Sequence, residues 1–113
     1  MKSIIYFNSL CGTCRKTLAL LEERGLDLEI REYLTEPPTK TELLKIMEML
    51  GDDAQKIVRT KEQRYKELNF SIEDKIKVAE VLSEEPVLIQ RPIFIHQGKA
   101  VVARPPEEVL KVF

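Results

Sequence analysis

The run SIIYF, from Ser3 to Phe7, is apolar at consecutive positions and rich in β-branched and aromatic residues, the pattern of a short strand buried on both faces. After a few polar residues the period changes. From Cys11 or soon after, Leu18 and Leu21, with Ala19 and Leu20 beside them, recur at helical spacing, Glu22, Glu23 and Arg24 are solvated, and Gly25 sits in the C-cap position. Residues 27–33 then alternate Leu28 and Ile30 against charged neighbours, which predicts a second strand. A buried strand, a helix and a strand in that order form a βαβ unit, so the opening commits the chain to an α/β fold.

The remainder extends that start. Glu36-Pro37-Pro38 stops the second strand, and Thr39-x-x-Glu42 is a capping box ahead of Leu43, Leu44, Met47 and Leu50, ending at Gly51. Residues 54–69 read as short helices. Ser71-x-x-Asp74 reads as a cap for a helix with Ile72, Ile76, Ala79 and Leu82 on one face, closed by Pro86. Ile93-Phe94-Ile95 and Ala100-Val101-Val102-Ala103 flank Gln97-Gly98 as a hairpin, and Pro105-Pro106 opens a terminal helix with Val109, Leu110 and Phe113 apolar. At 113 residues, without repeat, linker or low-complexity segment, one domain over 1–113 is expected, with a helical insertion at about 38–88.

A net charge of −1 supplies no global field for nucleic acid or an anionic membrane. Apolar runs, such as residues 4–7 and 18–21, stop at four residues, short of a spanning helix or a signal-peptide core. A cytoplasmic monomer is expected. In that compartment Cys11 and Cys14 are not a structural staple.

Cys11-Gly12-Thr13-Cys14 leaves three readings: a metal site, an inert buried pair, or a redox site. A metal site wants four ligands, and beyond the cysteines the chain has one histidine, His96, at the predicted hairpin turn, where it reads as solvated; no metal is expected. The pair lies between a buried strand and the helix it feeds, where unpaired N–H groups and the helix dipole favour a thiolate and can hold an oxyanion. Arg15 and Lys16 add positive charge, although a solvated helix face explains them equally well. A C-x-x-C beside a βαβ pattern is the sign of a thioredoxin-like fold, whose companion is a cis-proline opposite the cysteines. Pro92, ahead of Ile93-Phe94-Ile95, is the candidate.

With the blocks YFNSLCGTCRKTL, YLTEPPTKTEL, IVRTKEQRYKEL, PVLIQRPIFI and ARPPEEVL in one order, the chain resembles the glutaredoxin-linked arsenate reductase family, ArsC, over nearly its whole length. The resemblance implies a thioredoxin-like (glutaredoxin-like) mixed sheet with a helical insertion. It implies that Cys11 attacks arsenate and that Arg59, Arg91 and Arg104 hold the oxyanion and the cysteine adduct; the N–H groups of Gly12 and Thr13 and the charge of Arg15 are expected to add to that hold, with Asn8 and Pro92 supporting the loop. Arsenate carries about one to two negative charges at neutral pH, and guanidinium forks meet its oxygens in pairs without losing charge. Read alone, Arg59 is a solvated helix charge.

Two departures bear on mechanism. Phe7 stands where well-known members have a histidine, and Cys14 stands where serine is common. Either glutathione attacks the Cys11 adduct and glutaredoxin follows, or Cys14 resolves it and thioredoxin or glutaredoxin reduces the disulfide. No bound cofactor is required. Two alternatives stay open: another thiol-disulfide activity, and an Spx-type regulator that binds RNA polymerase with the cysteines as a redox switch.

Overall fold

In the computed structural model, which describes residues 2–113, strand β1 (Ser3–Phe7) has neighbours on both sides. It pairs parallel with β2 (Leu28–Glu32) and antiparallel with β3 (Ile93–His96), which pairs antiparallel with β4 (Lys99–Val102), giving the order β2-β1-β3-β4. Helix α1 (Gly12–Glu22) connects β1 to β2. Between β2 and β3 stand α2 (Lys40–Leu50), a 3-10 helix (Gly51–Ile57), α3 (Gln63–Leu68), α4 (Lys75–Glu84) and a 3-10 turn (Pro86–Leu88). This is the mixed, thioredoxin-like sheet.

The uninterrupted apolar run of β1 follows from a sheet covered on both faces. Ile5 and Phe7 join Cys14, Leu21, Phe94, Val109 and Val112 beneath α1 and the terminal helix. Tyr6 joins Leu43, Ile46, Met47, Leu82 and Ile93 beneath the helical insertion. Successive residues of a strand point to opposite faces, so each feeds a different core. Among the described residues no helix is long and apolar enough to cross a membrane.

Helix α2 has both arms of its capping box: Thr39 Oγ1 accepts from the Glu42 N–H at 3.1 Å, and Glu42 Oε1 accepts from the Thr39 N–H at 3.0 Å. Glu42 also pairs with Arg31 on β2, tying the insertion to the sheet edge. The Gln97-Gly98 turn has φ of 49° and 77°, two positive values that suit a two-residue hairpin.

Four details differ from the sequence reading. Strand β2 is an edge strand with Ile30 47% exposed, because alternation cannot tell an edge from an interior position. Helix α4 is capped by Asp74, which accepts from the Lys77 N–H at 3.1 Å, while Ser71 Oγ accepts from the Glu73 N–H in the preceding turn. The buried face is therefore Val78, Ala79, Val81 and Leu82, and Ile76, roughly 200° round the helix from Val78, is exposed. The terminal helix is 3-10 over Pro106–Val112. His96 is half-buried: Nδ1 lies 2.7 Å from Ser3 Oγ, and the ring meets Phe94 and Phe113, since both ends of the chain converge there.

Candidate active site

Where β1 ends, Asn8 shapes the loop. Its Oδ1 accepts from the Leu10 N–H at 3.0 Å and its carbonyl accepts from the Cys11 N–H at 3.0 Å, a turn that delivers Cys11 as the N-cap of α1. Cys11 Sγ takes the role a serine oxygen normally fills, accepting from the Cys14 N–H at 3.4 Å. Gly12 and Thr13 are the first two helical residues, whose N–H groups have no intrahelical acceptor. Arg15 turns back across the loop, Nη1 donating to the Ser9 carbonyl at 2.9 Å.

The hairpin brings two arginines. Arg91–Pro92 and Arg104–Pro105 are both cis, one before β3 and one after β4, and the Ala103 N–H donates to the Pro92 carbonyl at 2.9 Å. Arg104 Nη1 donates to the Arg91 carbonyl at 2.8 Å and lies 4.0 Å from Cys11 Sγ. Arg91 Nε is buried and has no hydrogen-bond partner among the described residues, a donor left open on the second of these arginines.

Arg59 arrives from the insertion. Its N–H donates to the Leu88 carbonyl at 2.8 Å, and Nη1 donates to the Val87 carbonyl at 3.3 Å. Nη2 pairs with Glu62 at 2.6 Å. Arg59 and Arg104 line one cavity of about 250 Å³ together with Gln90, so Arg104 borders both the sulfur and the space Arg59 faces. Of the sequence-predicted residues, Asn8, Cys11, Cys14, Arg91, Pro92 and Arg104 converge. Arg59 stands across the cavity, held by Glu62, and Arg15 is engaged with Ser9.

The two sulfurs are split electrostatically. Burial by itself would raise the Cys11 thiol; the Cys14 N–H and the Arg91 guanidinium outweigh it and bring Cys11 down to about 6. Burial, reinforced by the negative charge on Cys11, pushes Cys14 up to about 12. Cys11 is thus a thiolate at neutral pH and Cys14 a thiol with no exposed surface. This arrangement suits nucleophilic attack by one sulfur on an anion held by arginines.

Three participants escaped the sequence reading. Tyr33, fully buried just past β2, has its phenol pushed up by burial, against the opposing pull of the Arg91 guanidinium. Gln90 Oε1 accepts from the Arg91 N–H at 3.3 Å. Glu62 holds Arg59, and its place three residues on, where helical residues meet, was the available signal.

The model of the ArsC family matches residues 6–112. An arsenate reductase of Haemophilus influenzae is 42% identical, covering 99% of this chain and 99% of its own. The structure of an arsenate reductase from Vibrio cholerae superposes with a TM-score of 0.89 at 37% identity, covering 100% of this chain and 98% of that one. Regulatory protein MgsR of Bacillus subtilis is 35% identical, covering 90% of this chain and 82% of its own.

Proposed function

The chain belongs to the ArsC family, and from that premise we propose that it reduces arsenate to arsenite through an adduct on Cys11. The observation that carries this reading is the Cys11 sulfur itself, brought down to about 6 beside Arg91 and with Arg104 Nη1 at 4.0 Å.

The thiolate attacks arsenic, a sulfur–arsenic bond forms, and one arsenate oxygen leaves as water after taking up protons. A second thiol then attacks the Cys11 sulfur. The sulfur–arsenic bond breaks with its electron pair staying on arsenic, which leaves as arsenite, and the two sulfurs are oxidised to a disulfide. Two electrons pass from two thiols to one arsenic. Arg91 and Arg104 neutralise the oxyanion, the Gly12 and Thr13 N–H groups take further oxygens, and Arg15 adds charge at the rim. Arg59 joins when the oxyanion replaces Glu62 as its partner. Asn8 and Pro92 hold the loop in register. The Cys14 N–H and the arginines do for the thiolate what a histidine in place of Phe7 would do elsewhere.

The second thiol is external in this reading. Cys14 is fully buried, and burial, the leading cause that pushes its thiol up, remains when the Cys11 charge is lost to the adduct, which disfavours the thiolate it would attack with. Glutathione therefore supplies the second sulfur, and glutaredoxin or thioredoxin clears the mixed disulfide. If Cys14 instead resolves the adduct, glutathione is dispensable.

The test counts arsenite released and thiols lost per chain, in reduced protein with excess arsenate, with and without glutathione. Arsenite only with glutathione supports the external route. Arsenite with two protein thiols lost in its absence assigns the second step to Cys14. No arsenite from folded protein overturns the reading and favours the second one, an Spx-type redox regulator of RNA polymerase, of which the likeness to the regulatory protein MgsR supports the regulatory part.

A further inference from the structure

The 250 Å³ cavity bordered by Arg59 and Arg104 does not end there. Thr60, Gln90 and Arg104 also line a second cavity of about 410 Å³, walled by Gln55, Lys56, Val58, Ile72 and Val102. The shared walls make one groove, which starts at the guanidinium touching Cys11 and runs outward along the helical insertion. Its size falls within the range of small-molecule sites, about 300–1,000 Å³, and exceeds what a tetrahedral oxyanion fills.

The lining has a sign. Lys56, Lys61, Arg59 and Arg104 are cationic, and the one carboxylate among them, Glu62, is taken up by Arg59. Lys56 shares Asp53 in an exposed pair at 3.2 Å, which is cheaply exchanged, and Lys61 has no ion-pair partner among the described residues. Gln55, Gln90 and Thr60 supply amide and hydroxyl groups of the kind that pair with peptide backbone. The opposite flank of the Cys11 loop is the reverse: its cavity of about 210 Å³ is bordered by Phe7, Leu10, Leu34 and, as its charged residue, Glu32. An anionic molecule approaching Cys11 is drawn to one side.

We propose that this groove binds the thiol that attacks the Cys11 adduct, a small peptide-like thiol carrying carboxylates, with its sulfur at the Arg104 end and its carboxylates on Lys56 and Lys61. The inference rests on the arsenate-reduction reading for its chemistry, the step being the sulfur-to-sulfur attack already written, with arsenite leaving on the electron pair of the broken sulfur–arsenic bond. It adds the place from which the second sulfur comes.

Binding is tested first without chemistry. S-methylglutathione, which cannot react, is titrated into the reduced full chain and followed by backbone amide NMR. Saturable shifts concentrated at residues 55–61 and at Gln90, weakened about tenfold by the pair Lys56→Glu and Lys61→Glu, are expected. Saturable shifts centred on Leu10 and Leu34, or no saturable shift, overturn the groove. In turnover the same pair should raise the KM for glutathione about tenfold while leaving the KM for arsenate within about twofold. An unchanged KM for glutathione, or an equal rise in both, also overturns it. Should no arsenite form at all, the catalytic reading fails while the NMR titration still decides the groove.

Discussion

The backbone N–H of Cys14 donates to Cys11 Sγ at 3.4 Å, so the second cysteine serves the first through its main chain while its own thiol is buried. The two sulfurs share a loop but not a charge state: one is held as a thiolate with Arg104 Nη1 at 4.0 Å, the other is neutral and enclosed.

The first consequence is a pH profile. A thiol at about 6 is about 90% thiolate at pH 7, and reactivity towards iodoacetamide should fall as pH drops through 6. Mass spectrometry should place the first alkylation on Cys11 and leave Cys14 unmodified up to pH 9. An inflection in the ordinary thiol range, near 8.5, would refute the assignment.

Because Cys14→Ser keeps the backbone N–H that donates to Cys11 and puts a hydroxyl donor where the thiol stood, it should leave the alkylation inflection of Cys11 near 6 and keep glutathione-dependent arsenite formation. Loss of all arsenite in Cys14→Ser, with Cys11 still alkylated, would reassign the second step to Cys14.

Removing a charge that faces the oxyanion should cost more than removing one that is held elsewhere. Arg91→Ala and Arg104→Ala should each lower kcat/KM for arsenate by about 10²–10³-fold, and Arg91→Ala should also raise the Cys11 inflection. Glu62→Gln frees the Arg59 guanidinium from its 2.6 Å partner and should lower the KM for arsenate. A raised KM in that variant would show that Glu62 positions Arg59 instead of competing for it.

Helix capping gives a stability test with an internal control. Thr39→Ala and Asp74→Ala each remove a side chain that holds a helix N-terminus and should cost about 1 kcal/mol in urea denaturation. Ser71→Ala removes only a turn contact and should cost a few tenths by comparison. A larger loss at Ser71 than at Asp74 would restore the Ser71 cap read from the sequence.

Much of the fold was legible because its signals are local. The consecutive apolar residues of β1, the Thr39–Glu42 box, the Gln97-Gly98 turn and the cysteine pair at a strand-to-helix junction each lie within a few residues of what they specify. What escaped depends on neighbours remote in sequence. Ile30 is exposed on β2, an outer strand of the sheet, and His96 is half-buried because Ser3 and Phe113 meet it. Tyr33 looked like the tail of a strand and is fully buried in the core with Tyr6, Leu43 and Ile93, neighbours no local pattern records. The cis bond at Pro92 was readable from the cysteine pair that calls for it; the second one, at Pro105, had no such prompt.

Arg91 and Arg104 sit at the entrance and exit of a single hairpin, 13 positions apart, whereas Cys11 is 93 positions from Arg104. Contacts close in sequence form readily, and those that close long loops wait for the sheet. The arginine half of the site is therefore assembled locally, and the sulfur joins it only when β1 zips against β3. Until β1 pairs with β3, Cys11 has the local Cys14 N–H but not the two guanidiniums, so the full reactivity of this sulfur belongs to the assembled sheet.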